Sequence, residues 1–548
     1  MTDETPIAAE TAEAGSDDAA PATEESGARA DWVRYLPYAV YGMFALRVIV
    51  VLVMARNWFF TDDDWDYITR ESWGDVLGPH AGHLNVVTAA WAFAVRGIVG
   101  LDYWPGYALL AALTWPLVGL AAWHVWRRLG TDPRWAAFGA ILLFWLGTAS
   151  WIQFGHAGQG VAAAAVIVAV YLDGKPVKPV HLIPNILFSL LAVFSSSTAG
   201  LAVIVRAGLG LLYRKWNAVI AAGFVGALYI LSRFVFSSLG PGTLRVGLKG
   251  LTDVFGTIRV GLEVIGVGAR DLLPWPRSLA WILGAAVVGL ALFVLWRARF
   301  SYFATALIGS AAFYIAISLV SRFLGRARKL EEVTGGDWGS LTAPRFANLA
   351  IAFTIVAFIP LLASARFRSR LVPGALVGAM VVVLGWGVVR SVSVWDQIAD
   401  KSADPKASWV APLVELRMAG EPGHPTGWRK IYPTLSTFFT LDSIDYIIDA
   451  GLAESLLASD IYRSGTVPEI GEVKARGRLR MNIRPDDRTT GSWGDLGKIR
   501  EPGCVLIEES RSYRVQEAAR FRLERVDGND VTLRYVDAWG RGTAVVSE

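Results

Sequence analysis

Eleven apolar runs, each close to the length of a bilayer-crossing helix, constrain this chain more than any other feature. They cover about 35–56, 107–126, 135–152, 158–173, 182–197, 198–213, 217–237, 279–297, 303–321, 346–365 and 371–391. A hydrocarbon core of about 30 Å takes roughly 20 helical residues at about 1.5 Å each. The stretch 182–213 is continuous and is divided at Ser195-Ser196-Ser197-Thr198-Ala199-Gly200, where small polar residues and a glycine suit a turn. Composition points the same way. The chain is 53% hydrophobic and 18% charged, with mean hydropathy +0.41, whereas a soluble chain carries about a quarter charged residues. A single cysteine, Cys504, excludes a disulfide-scaffolded secreted fold and any thiolate metal cluster, and reads as inert. With 52 Lys+Arg against 48 Asp+Glu, the net charge of +4 argues against a nucleic-acid partner. The expected fold is a polytopic α-helical membrane protein.

The segment 84–101 is a twelfth candidate, but it is short and carries Arg96 well inside it. A charge at the bilayer centre costs about 2.5–3.5 kcal/mol on insertion scales. Placing 84–101 in the interface puts Arg127/Arg128/Arg134, Lys175/Lys178, Arg214/Lys215, Arg297/Arg299 and Arg366/Arg368/Arg370 on one side throughout. Letting it span would move all of those clusters outside, against the positive-inside rule. The expected arrangement in the cell membrane is therefore eleven spans over 32–392, a cytoplasmic N-terminus and an extracytoplasmic segment 393–548. Residues 1–31 hold nine acids against Arg29 alone, and no aromatic residue, so they cannot bury enough apolar surface to order themselves. They lack the basic stretch and apolar core of a signal peptide and read as a disordered acidic cytoplasmic tail.

Four segments then face the exterior. The first, 57–106, holds an acidic cluster and one or two interfacial helices; the second is a short loop with Gln153, His156 and Gln159. The third, 238–278, places Leu251, Val254, Phe255, Ile258, Leu262 and Ile265 at helical spacing, which suggests a surface-lying amphipathic helix. The fourth, 322–345, is basic, with Arg322, Arg326, Arg328, Lys329 and Arg345. Few charges lie centrally in the spans, Arg47 and Arg233 being the exceptions. Segment 393–548 reads as a soluble α+β domain, helical over roughly 409–460 and ending in strands. Its tail alternates at Cys504-Val505-Leu506-Ile507 and over 519–526, and a turn at Asp527-Gly528-Asn529-Asp530 leads into 531–536, a hairpin pattern.

Phe60-Thr61-Asp62-Asp63-Asp64-Trp65-Asp66-Tyr67 lies immediately beyond the first span. Four carboxylates within five positions repel one another, and such crowding raises some of their pKa values and primes one as a proton acceptor. The same hard oxygen ligands, Asp63 and Asp64 above all, could hold a divalent cation such as Mg or Mn. The alternative is a solvated acidic cap that keeps the loop outside. Flanking Trp58, Phe59, Phe60, Trp65 and Tyr67 make a freely solvated cap less natural. The sequence holds no Walker motif, nucleophile elbow or zinc signature. The glycines of Phe154-Gly155-His156-Ala157-Gly158-Gln159-Gly160 follow no strand and so form no phosphate cradle.

An acidic pair directly after the first span, in a large first external loop with interfacial helices, resembles the GT-C superfamily of polytopic glycosyltransferases. The likeness continues at Pro79-His80-Ala81-Gly82-His83-Leu84-Asn85, which is similar to a His-Pro-Pro-type segment of the mannosyltransferase and aminoarabinosyltransferase branches. It runs on through Gly100-Leu101-Asp102-Tyr103-Trp104-Pro105 into a span ending Trp126-Arg127-Arg128-Leu129-Gly130. It covers roughly residues 35–215 as pattern and 35–390 as architecture. It departs at Ala81-Gly82, where prolines would be expected, and in the 153–159 loop, which has no second external carboxylate. The Arg-rich composition resembles that of actinobacteria, whose arabinofuranosyl- and mannosyltransferases of this type serve cell-wall biogenesis.

The resemblance implies an enzyme that takes a sugar from a polyprenyl-phosphate donor and transfers it to an envelope glycan or lipid-linked acceptor at the outer membrane face. The implied mechanism is inverting: a carboxylate deprotonates the acceptor hydroxyl, which attacks the anomeric carbon as lipid phosphate leaves. General-base help of this kind is worth about 10²–10⁴ in rate. Asp63 or Asp64 would be that base, with Asp62 and Asp66 orienting it or binding metal. Arg345, where the fourth external loop enters a span, and Arg322 at its other end would hold the departing phosphate. Snorkelling to lipid headgroups is the alternative for both. His80 and His83, three apart, would bind sugar hydroxyls, phosphate or a metal unless they only open a helix. His156 and Gln159 would hydrogen-bond the sugar at the mouth unless they serve loop packing. Trp409, Trp428, Trp493 and Trp539 are available to stack on acceptor glycan. Two other readings stand beside this one: a transporter or flippase of lipid-linked sugars, and a non-catalytic envelope-assembly protein. Transport is disfavoured by the lack of an internal two-fold repeat and by the few central charges.

Overall fold

The computed structural model describes residues 31–393 except 57, 59, 61–63, 79–84, 102, 146–156, 197–198, 237–253, 271–275, 326–343, 365–377, 379–380 and 383, together with 446, 449–450 and six strands between 479 and 546. The acidic tail up to residue 30 and Trp409, Trp428, Trp493 and Trp539 lie outside the described residues. Among the described residues the chain is mostly helical. In order, the helices are α1 (Leu36–Ala55), α2 (Asp64–Ile68), α3 (Trp73–Val76), α4 (Val86–Val99), α5 (Ala108–Arg128), α6 (Pro133–Trp145) and α7 (Ala157–Asp173). They continue with α8 (Pro179–Ser195), α9 (Ala199–Leu212), α10 (Trp216–Phe236), α11 (Val254–Ala269), α12 (Ala280–Arg297), α13 (Tyr302–Gly325) and α14 (Pro344–Ser364).

The described part of each apolar run from 35–56 to 346–365 falls mainly on one of these helices. Among the described residues, three helices are long and apolar enough to cross a membrane: Val33–Ala55, Tyr103–Arg128 and Ala280–Arg297. Others, such as Ala157–Asp173 and Pro179–Ser195, are apolar and shorter. The continuous run 182–213 does break at its serines, since Ser196 is extended (φ −158°, ψ 121°) between α8 and α9. Helix α4 has 14 residues, about 21 Å of helix against the roughly 30 Å of a bilayer core.

Small residues let the helices approach, as in packing that lacks a strong hydrophobic drive between helices. At the α5–α6 crossing a Cβ on Gly119 would sit 2.6 Å from the Phe144 ring, and one on Gly139 would sit 2.6 Å from Trp126. Trp126 is wholly buried and its Nε1 donates to the Val356 carbonyl at 2.9 Å, tying α5 to α14. Tyr41 and His124 hydrogen-bond at 3.1 Å and link α1 to α5.

Helix α11 departs from the surface-lying helix expected there. It packs antiparallel to α12 and also meets α14. Gly266 and Gly284 are the reason: a Cβ on Gly266 would overlap the Ala280 carbonyl, and one on Gly284 the Leu262 carbonyl. Backbone meets backbone there, so Val264, Ile265 and Ala269 are buried while Ile258 stays exposed. The apolar stripe meets protein as well as the outside.

A buried polar network joins five helices and adds Arg206 to the central charges expected, Arg47 and Arg233. Arg206, in the middle of α9, is wholly buried, as is Asp173 at the end of α7. Arg206 Nε donates to Asp173 Oδ2 at 2.7 Å and Nη2 to Oδ1 at 2.8 Å, a bidentate pair. Arg206 also donates to Ser189 Oγ and Asn185 Oδ1 on α8, each at 2.8 Å. Asn185 Nδ2 and the Tyr302 hydroxyl of α13 both donate to the same carboxylate at 2.8 Å. From α10, Asn217 Nδ2 donates to the Leu172 carbonyl at 2.7 Å. Arg47 is buried as well, with Nε donating to the Phe144 carbonyl at 3.1 Å and its guanidinium over the Trp145 ring. Arg233 lies on α10.

The strands β1 (Leu479–Arg484), β2 (Thr490–Ser492), β3 (Cys504–Glu509), β4 (Ala519–Asp527), β5 (Asp530–Asp537) and β6 (Gly540–Val546) form one sheet in the order β2-β1-β3-β4-β5-β6. All the pairs are antiparallel, and β4 and β5 close with Asp527 opposite Asp530.

Candidate functional site

The segment after α1 is anchored by aromatics. Phe60 is wholly buried with its ring edge-on to Tyr103 and Tyr107, centroids 5.2 and 4.8 Å away. Asp64 then opens α2, and both Asp64 and Asp66 fall in its first turn, where unpaired backbone N–H groups favour carboxylates. Asp64 is 2% exposed, which is not the state of a solvated cap. Asp66 is half-buried and pairs with Arg70 at 2.8 Å, one turn on.

Arg70 organises this loop, and nothing in the expectations singled it out. Its Nη1 donates to the carbonyls of Asp75 at 2.6 Å and Gly78 at 2.8 Å, and its guanidinium lies 5.4 Å from the Tyr67 ring centre. One buried cation thereby holds α2 against α3, whose start is closed by a reciprocal Ser72–Asp75 capping box. The i,i+4 spacing of Asp66 and Arg70 was the available signal. Buried Tyr67 accepts a hydrogen bond from Asn85 Nδ2 at 2.6 Å, and Arg96 Nη1 donates to the Ile68 carbonyl, so α2 is fastened to α4 at two places.

Helix α4 is in turn fastened to the start of α7. Thr88 Oγ1 accepts from the Gly158 N–H at 3.2 Å, and Thr114 Oγ1 donates to the Ala157 carbonyl at 3.1 Å. Gly158 and Gly160 are required for this approach, because a Cβ would collide with the Ser195 carbonyl at the first and with Thr114 at the second. The first turn of α7, with Gln159, is wedged among α4, α5 and the end of α8.

At Gln159 begins a small cavity between α7, α9, α13 and α14 that is open at its mouth. Its walls are mainly small and apolar, with Ala162, Ala163, Ala199 and Phe353 among them. Gln159 Oε1 is buried there without a hydrogen-bond partner.

Asp64 and Asp66 lie on α2 and Gln159 on α7, two helices that are each fastened to α4. Arg322 falls on α13, and Arg345 falls in the first turn of α14. Asp62, Asp63, His80, His83 and His156 lie outside the described residues. Among the described residues no three His, Cys, Asp or Glu side chains converge as a metal site would require. From the C-terminal segment, Tyr446 stacks on Arg96, the guanidinium 5.2 Å from its ring centre. Burial pushes the Tyr446 phenol above its ordinary value; Arg96 opposes that shift and Glu71 adds to it. No family model, curated protein or solved structure matches the chain.

Proposed function

We propose that the chain is a multi-pass membrane glycosyltransferase that moves a sugar from a polyprenyl-phosphate donor to an envelope glycan or lipid-linked acceptor on the outer face. This reading has eleven spans over 32–392, a cytoplasmic N-terminus and an outer α+β domain over 393–548. The observation that carries it is Asp64, a carboxylate 2% exposed in the first helical turn beyond an apolar helix long enough to cross a membrane. Pre-positioning a buried carboxylate beside the membrane surface is what a general base for a lipid-borne substrate needs.

In the reaction, Asp64 or Asp63 takes the proton of the acceptor hydroxyl. That oxygen bonds to the anomeric carbon, and the bond from that carbon to the phosphate oxygen breaks with its electron pair. Arg345 and Arg322 offset the charge on the departing lipid phosphate. A divalent cation on Asp63 and Asp64 would serve the same end. Asp66, tied to Arg70, holds the loop in shape.

The test is sugar transfer by the full chain in nanodiscs from a panel of polyprenyl-phosphate sugars, arabinofuranose and mannose included, with and without chelator. Transfer from at least one donor is expected, with loss of about 10²-fold or more in Asp63→Asn or Asp64→Asn and no change in insertion or unfolding midpoint. Absence of transfer from every donor, or full turnover in both variants, refutes the reading. One observation favours a second reading, transport of a lipid-linked sugar: a buried ionisable pair, Asp173–Arg206, inside the helical array. Flipping of a fluorescent polyprenyl-phosphate sugar that stops in Asp173→Asn, without any transfer, would select it.

A further inference from the structure

We propose that the cavity at the start of α7 is a binding subsite for a neutral, hydroxyl-bearing group, with Gln159 as its hydrogen-bond acceptor. This deepens the transferase reading, but the binding it claims is measured without turnover.

The chemistry of the walls restricts the ligand. Gln159 Oε1 is buried and has no partner, and a buried acceptor left unmet is unfavourable until a donor arrives. The Ser310 hydroxyl, also in the wall, is already engaged with the Ala306 carbonyl at 2.6 Å. Among the described residues no charged side chain lines the cavity, so neither a phosphate nor a cation has a counter-charge inside it. Ala162, Ala163 and Ala199 make the room, and Phe353 offers an aromatic face to a carbon skeleton. A hydroxyl on a largely apolar body satisfies all of these features at once. Two classes of molecule carry that chemistry: a long-chain alcohol, and a sugar ring presenting its less polar face.

The site is also rigidly placed. Gln159 follows directly on Gly158, whose N–H is held by Thr88 of α4, and α4 is the helix to which the Asp64-bearing α2 is fastened. A ligand bound through Gln159 therefore has a fixed relation to the acidic loop.

The experiment is equilibrium binding to the full chain in phosphatidylcholine nanodiscs. The probes are tritiated farnesol in one arm and tritiated methyl glycosides of arabinofuranose and mannose in the other. Saturable binding is expected in one arm, which assigns the source. It should weaken about tenfold in Gln159→Leu, the loss of one hydrogen bond, and vanish in Ala199→Leu, which fills the space. Ala162→Val, a smaller intrusion, replaces Ala199→Leu if that variant does not fold. No saturable binding in either arm, or binding unchanged by both the acceptor and the filling variants, overturns the proposal. Saturable binding with no transfer from any donor would retire the transferase reading and keep the subsite. Transfer without probe binding would do the reverse.

Discussion

Replacing Arg206 by Met removes the cation from a wholly buried ion pair and leaves its carboxylate behind. Arg206 donates four hydrogen bonds, two to Asp173 and one each to Ser189 and Asn185. After the substitution Asp173 keeps donors from Asn185 and Tyr302 but has no counter-charge. Breaking a buried pair from one side costs about 3–5 kcal/mol, and the same holds for Asp173→Asn, which strands a guanidinium instead. The double variant strands neither charge, so its cost should fall short of the two single costs added together by about 2–3 kcal/mol. Equilibrium unfolding in mixed micelles, with helix content followed as the SDS fraction rises, measures all four proteins of this cycle. Single variants that each cost under about 1 kcal/mol, or a strictly additive double variant, would refute the claim that this pair staples the four helices it touches.

Further outcomes follow from other contacts. Gly266→Ala and Gly284→Ala should each cost about 1–3 kcal/mol or more, because the obstructing atoms are backbone carbonyls; Gly208→Ala, with nothing within 4 Å, should be neutral in the same unfolding assay. Arg70→Lys cannot reach the Asp75 and Gly78 carbonyls while pairing with Asp66, so limited proteolysis should open the 66–78 segment. Because the folded state raises the Tyr446 phenol, its contribution to docking is complete below the ordinary value of 10.0 and is lost as pH rises through the higher folded value. The ultraviolet titration difference between the native chain and Tyr446→Phe should therefore show a midpoint above 10, and one at or below 10 would refute burial as its setting.

Helix positions were legible because an apolar run has few places to go: it must meet other helices or lipid. The break at Ser196 was legible for the complementary reason, since three serines and a threonine end a run that would otherwise be too long. What could not be read were contacts between distant parts of the chain. Asp173 and Arg206 are 33 residues apart; one resembles an ordinary charge at a helix end and the other a lone charge within an apolar run until α7 and α9 are brought together. Gly266 and Gly208 look alike in a sequence, yet one is pressed on a carbonyl and the other faces open space. In the first loop, the four aspartates stand out by crowding alone, whereas Arg70 matters through backbone carbonyls that carry no residue-specific signal.

The two ends of α7 differ in a way that separates holding the fold from binding a ligand. At Asp173 the carboxylate accepts four hydrogen bonds, two on each oxygen. Fourteen residues earlier, about 21 Å along the helix, Gln159 Oε1 accepts none and opens on a cavity. A side chain kept for stability should lose stability when removed, but Gln159→Leu deletes an unmet acceptor and adds apolar contact with alanine walls. Its unfolding midpoint should stay level or rise, since replacing an unsatisfied polar group by an apolar one of similar size is neutral to favourable. The same variant should bind its hydroxylic ligand more weakly. A fall in stability comparable to that of Arg206→Met would instead make Gln159 part of the packing, and the cavity a gap in the bundle with no recognition built into it.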